Sequence, residues 1–215
     1  MLNFFLKDLN VLHEQNVDAY FLNHFSFFEN IRNMNILVLD SIDNLNERFS
    51  SKNLRRIDTC AIMQTTGDGN CLWNCVSNSL FGNENYSILF RLFTFYTMFK
   101  HSVYFQRTCL TETRELKFYM QESLSLGVWG RDIHVLALSI LLNRTFFVFE
   151  KTSQRKPFFQ RGRIIAGLNS IKLPILVHFN RNHYEPIIRQ NNNIHIDAPL
   201  LSIYEYIDHD NFILD

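Results

Sequence analysis

The period of the hydrophobic positions changes partway along the chain. Counting on from Cys71, the residues Leu72, Cys75, Val76, Ser79 and Leu80 fall on one face at helical spacing, and Gly82 ends the run. Asn85 or Ser87 can cap a second helix whose apolar face reads Ile88, Leu92, Phe95, Tyr96, Phe99 and Val103. A third, more polar helix is expected over about 111–125. The fourth has the cleanest pattern: Asp132 as cap, Ile133, Leu136, Ala137, Ile140 and Leu141 inward, and Asn143 at its end. Beyond it the pattern turns to strands. TFFVFE (145–150) and PILVHF (174–179) are apolar and β-prone, and RIIAGL (163–168) is weaker. Asn180-Arg181-Asn182-His183 then reads as a tight turn into a return strand, YEPIIR, which makes a hairpin with His183 at its tip.

Residues 1–58 read differently, as short helices broken by Asn-rich stretches, with one apolar run at Ile36–Leu39 and a polar connection at SSKNLRR (50–56). They are expected to form an N-terminal helical extension packed on a main unit spanning 59–215. Helices first and strands later imply an α+β fold with a small sheet.

Composition adds boundaries. Apolar residues make up 47% and charged residues 20%, enough to form a real core, and 21 phenylalanines make that core aromatic. Lysine plus arginine equals aspartate plus glutamate at 21 each, so no net field favours nucleic acid, and the short basic runs read as solvated surface. Four cysteines are too sparse for a disulfide scaffold. The greasiest segment, ILFRLFTFYTMF, is interrupted by Arg91, so no membrane span is expected, and Lys7 and Asp8 fall too early for a secretory signal. The expectation is a monomeric protein of a reducing compartment, cytoplasmic with nuclear access open, without metal or cofactor. A zinc set of Cys71, Cys75, His178 and His183 lacks the spacing of a common site.

The chemistry concentrates at TTGDGNCLWNCVSNSLFG (65–82). A cysteine nucleophile needs thiolate character and a histidine to manage protons. Cys71 opens a helix, where unpaired amides and the helix dipole favour negative sulfur and can hold an oxyanion, while Gly67 and Gly69 let the loop turn beside it. His183, at the hairpin tip, is the best placed of eight histidines. Glu185 shares its strand face and Asp68 precedes the cysteine by three, so either could orient the imidazole. Other roles stay open: Cys71 as an inert core thiol, Asp68 as a loop or cap residue, Trp73 and Trp129 as core rather than cleft, Asn182 as turn chemistry. Cys75 reads as packing, His178 as a core or sheet histidine, and His101, His134, His195 and His209 as surface.

Gly67-Asp68-Gly69-Asn70-Cys71-Leu72-Trp73 resembles the nucleophile motif of the ovarian-tumour (OTU) family of cysteine proteases. Trp129-Gly130 followed by Ala137-Leu138-Ser139 resembles that family's middle motif, and Asn182-His183-Tyr184 its histidine motif. The three occur in family order over roughly 60–190. The resemblance implies a papain-like α+β fold with a small, mostly antiparallel sheet flanked by helices. It also implies cleavage of the isopeptide bond after the C-terminal glycine of ubiquitin or a ubiquitin-like modifier, with ubiquitinated proteins as substrates. Under it Cys71 is the nucleophile, His183 the general base and acid, and Asp68 the acid beside the cysteine. Gly69 and Asn70 belong to the oxyanion loop, and Trp73, Trp129, Asn182 and Tyr184 to the cleft. Two departures stand out: Glu185 where members often carry Asp or Asn, and His134 where many carry an acid. The alternatives are a ubiquitin-binding module of the same fold without turnover, and a papain-like protease that processes a polyprotein.

Overall fold

The computed structural model describes residues 60–109, 115–150 and 174–190, together with residue 30 and the segments 38–39, 54–57 and 162–165. The short helices expected before residue 58 lie outside the described residues. Two strands within that stretch are described: β1 (Val38–Leu39) and β2 (Leu54–Ile57). The second falls in the segment read as a polar connection. β2 lies at the end of the sheet.

The other elements are β3 (Cys60–Met63), α1 (Cys71–Phe81), α2 (Ser87–Lys100), α3 (Ser102–Cys109), α4 (Leu116–Leu124), α5 (Asp132–Leu142), β4 (Phe146–Glu150), β5 (Gly162–Ile165), β6 (Ile175–Asn180) and β7 (His183–Gln190). The strands form one sheet in the order β2-β3-β7-β6-β4-β5, with β1 also pairing with β7. Four of the six pairings are antiparallel; β4–β6 and β1–β7 are parallel. The small, mostly antiparallel sheet with helices against it is the α+β architecture expected.

Local chemistry accounts for the boundaries. α1 ends at Gly82 in the left-handed conformation, and α5 ends at Asn143 in the same conformation. The β6–β7 hairpin has a two-residue loop, and Arg181 takes a φ of 61°, the sign that primed hairpin turns require at their first loop position. α5 begins with Asp132 inside the helix, one residue earlier than read: Arg131 is the cap, and its amide donates to Nδ1 of His134 (2.9 Å).

α1 packs on β7, and α2 packs on α1, α4 and α5. The core centres on α1, with Phe90, Phe93, Phe146 and Val177 around it. Burying one such phenylalanine contributes roughly 1.5–3 kcal/mol. The inward face of α2 is wider than the one read: Leu92 and Phe95 are buried as expected, and more positions join them. Phe90, Phe93, Thr94, Thr97 and Met98 point in, while Ile88 and Val103 (63% exposed) point out, because α2 stops at Lys100 and Val103 belongs to α3. His134, read as a surface residue, is fully buried: Nε2 meets the carbonyl of Tyr119 (2.9 Å) and the ring packs against Trp73. Among the described residues, no helix is long and apolar enough to cross a membrane.

Candidate active site

Three segments converge on Cys71. Its sulfur lies at the head of α1 with only 1% of the residue exposed. The Sγ–H donates to the carbonyl of Asn182 at 3.7 Å, and the amide of Tyr184 also points at the sulfur. The thiol is thus bracketed by the backbone on either side of His183. The third segment follows β3. The β3–β7 register pairs Ala61 with Ile188 and Ile62 with Ile187, and its continuation brings Thr65 opposite Tyr184.

Thr65 is buried, and its hydroxyl donates to the carbonyl of Tyr184 (2.7 Å). Since a hydroxyl has one hydrogen, its 3.1 Å contact with Nε2 of His183 requires the ring to be the donor. That bond fixes the tautomer with hydrogen on Nε2 and leaves Nδ1 as the basic nitrogen. Thr65 was missed in the sequence because nothing local distinguishes it; only the sheet register brings it to a residue 118 positions away.

Both candidate acids are engaged elsewhere. Asp68 accepts from the amide of Asn70 (2.9 Å) and from the side chains of Asn70 (2.8 Å) and Asn74 (3.3 Å), so it closes its own loop as an Asx turn. Burial alone would raise its carboxyl, but the Asn70 hydrogen bonds, with the Arg91 charge behind them, hold it below the usual carboxylate range. Glu185 meets Nδ1 of His178 at 2.8 Å, its directly opposed partner in the hairpin, and His178 is the buried sheet histidine expected. The amide of Asn70 is likewise used inside the loop, which leaves those of Cys71 and Leu72 beside the sulfur.

The remaining site residues divide. Gly69 carries a φ of +80°, and a Cβ there would lie 2.0 Å from the carbonyl oxygen of Gly127. Gly67 has open space, so the tight approach belongs to Gly69 alone. Gly130 presses on Leu72, where a Cβ would come within 2.3 Å, and this explains the glycine of the middle motif. Trp73 does not line a cleft: it is fully buried, and its indole donates to Thr94 (3.0 Å). Trp129 is 51% exposed and Asn182 is exposed, whereas Tyr184 buries its ring against Phe179 and offers its backbone.

Electrostatics modify the sequence reading of the thiol. Burial pushes the Cys71 thiol up and the Asp68 charge adds to it, while the amides of Tyr184, Leu72 and Cys71 itself pull it down; the net is upward. Near-complete desolvation outweighs the helix head. Cys75 lies wholly in the core with its thiol pushed further up by burial, as a packing residue should be. Among the described residues, no group of three or more His, Cys, Asp or Glu side chains is placed to hold a metal ion.

Residues 62–126 match the family model for the OTU domain of vertnin. The fold matches that of the viral OTU domain protease of Dera Ghazi Khan virus at 17% identity and a TM-score of 0.50, over 64% of this chain and 95% of that one. The OTUD1 OTU domain aligns at 17% identity (TM-score 0.48; 69% and 95% covered), and the Hazara virus OTU bound to ubiquitin at 15% (TM-score 0.48; 66% and 98%). No curated protein matches the sequence. At these identities the structural likeness is one of fold, and it joins a family-model match that begins in β3 and runs through the loop before Cys71. The chain has an OTU-like fold, and its residues 62–126 match an OTU domain model.

Proposed function

We propose that the chain is a cysteine-type deubiquitinase, hydrolysing the bond after the C-terminal glycine of ubiquitin or a ubiquitin-like modifier. The observation that carries this reading is the bracketing of Cys71 Sγ by Asn182 and Tyr184, which sets the helix-head thiol beside a histidine of fixed tautomer. The solved Hazara virus relative, which is bound to ubiquitin, supports the choice of modifier.

The chemistry follows from the protonation states. A buried thiol with a raised pKa does not rest as a thiolate, so Nδ1 of His183 takes its proton as attack begins. The sulfur adds to the glycine carbonyl carbon, and the amides of Cys71 and Leu72 receive the oxyanion. His183 gives the proton to the departing lysine amine as the C–N bond breaks, leaving a thioester. Water, deprotonated by the same imidazole, then releases the free carboxylate and restores the thiol. Thr65 keeps the ring in register throughout.

The test is incubation of the full chain with ubiquitin bearing a C-terminal electrophile. An adduct on Cys71 that Cys71→Ala and His183→Ala abolish is expected; folded wild-type protein without an adduct overturns the reading. One observation favours a second reading. Both candidate carboxylates are engaged away from His183, an arrangement suited to a module that binds ubiquitin without turnover. Measurable ubiquitin affinity with no cleavage of any linkage would establish that instead.

A further inference from the structure

The most unusual side chain near the site is not in any motif. Arg91 lies in the middle of α2 and is fully buried, although arginine is almost never so unless paired. Its guanidinium makes five hydrogen bonds, and every acceptor is uncharged. Nε donates to Oδ1 of Asn70 (2.6 Å), Nη2 to the carbonyls of Gly69 (2.9 Å) and Val128, and Nη1 to those of Glu122 (3.1 Å) and Ser123 (3.2 Å). All five N–H donors of an arginine are thereby matched. The plane also stacks on Trp73, 3.6 Å from the ring centroid.

These acceptors come from three separate pieces of chain: the nucleophile loop, the end of α4 and the loop that carries Gly127 and Trp129. A buried charge is a poor way to gain stability alone, since an apolar side chain of similar volume often does as well or better. What the guanidinium adds is geometry, because its rigid planar fork sets several carbonyls at fixed mutual positions. Two of its partners, Gly69 and Asn70, immediately precede Cys71. Burial lowers its pKa to about 10, with Asp68 and Cys71 drawing it back up, so it is charged at neutral pH and couples to the sulfur.

We propose that Arg91 is a positioning residue for the reaction at Cys71: it locks the Gly69–Asn70 turn against the 122–128 segment so that sulfur and helix-head amides stay in reactive register. The proposal rests on the cysteine-hydrolase reading and deepens it. An error of about 1 Å in such a register can cost on the order of a hundredfold in rate.

The test uses the full chain and Arg91→Lys, which keeps the charge but has three donors on one point instead of five in a fork. Expected are a folded protein, a fall of at least tenfold in kcat on a ubiquitin C-terminal fluorogenic substrate with KM within about threefold of wild type, and a changed pH profile for iodoacetamide alkylation of Cys71. Wild-type kcat and an unchanged alkylation profile in folded Arg91→Lys overturn the proposal. Should that variant not fold, Asn70→Ala removes one acceptor and leaves Arg91 its four carbonyls; wild-type kcat there overturns it equally. The alkylation profile separates the two claims. If wild-type protein forms no ubiquitin adduct, the hydrolase reading falls, and whether Arg91 sets the state of Cys71 is still read from alkylation.

Discussion

Thr65→Val is the sharpest probe of how the imidazole is held. Valine replaces the hydroxyl with a methyl of similar shape and removes both the bond to the Tyr184 carbonyl (2.7 Å) and the one from Nε2 of His183 (3.1 Å). The Tyr184 carbonyl and the ring N–H each lose a hydrogen bond. Each such loss costs roughly 1–3 kcal/mol, and the half-buried ring can recover part of its share from water, so a loss of about 2 kcal/mol in stability is expected. For a chain of 215 residues that lowers the melting temperature by roughly 4–8 °C. The larger effect falls on rate. With its tautomer no longer fixed, His183 loses about 2 kcal/mol of transition-state stabilisation, or roughly 30-fold in kcat/KM. Steady-state cleavage of a ubiquitin C-terminal fluorogenic substrate measures this, with thermal melts alongside. Thr65→Ser restores the donor and acceptor and should bring kcat/KM back to within about threefold of wild type. Glu185→Gln should cost stability through His178 more than it costs rate. Folded Thr65→Val at wild-type kcat/KM, with the loss appearing in Glu185→Gln or Asp68→Asn, would refute the assignment.

Gly69→Ala places a Cβ against the Gly127 carbonyl at a φ of +80°, so a loss of about 2 kcal/mol or more in stability and of electrophile labelling at Cys71 is expected; wild-type labelling and melting would contradict it. His134 is held neutral, with burial lowering its pKa from 6.5 to about 4. The native state therefore binds fewer protons than the unfolded chain between those values. Stability is full above about pH 6.5 and falls as pH drops towards 4, by about 3 kcal/mol in total. Urea midpoints at pH 7, 5.5 and 4.5 should show that slope, and His134→Gln should flatten it. Because burial raises the Cys71 thiol above 9.0, its alkylation rate should climb at and above pH 9; a thiolate already dominant at pH 6 would exclude the general-base route.

What could be read from the sequence was local. The start of α1 at Cys71 and its stop at Gly82, the apolar run of β4, the end of α5 at Asn143 and the hairpin that presents His183 depend on periodicity, turn residues and glycine conformations set within a few positions. Even there, α2 was read only in part: Leu92 and Phe95 are buried as expected, but Ile88 is exposed. Its phenylalanines cover so much of the helix that period alone does not show that Phe90 and Phe93 go inward with Leu92 and Phe95 while Ile88 stays out.

The motif residues pointed to Cys71 and His183; the tertiary structure decided how each is held. Asp68 and Glu185 both had the right chemistry and the right spacing to orient the ring. The fold gives Asp68 to its own turn, Glu185 to His178 and the ring to Thr65, because antiparallel pairing of β3 with β7 sets distances that no local pattern encodes. Arg91 looked like an interruption of an apolar helix. That interruption was the available signal, since a charge in a buried stripe must find partners, but its partners lie 21 to 37 residues away, and four of the five are backbone carbonyls, which every residue possesses. The sequence determines which groups can react; only the folded chain decides which carbonyls and hydroxyls surround them, since hydrogen-bond partners are chosen by distance in space.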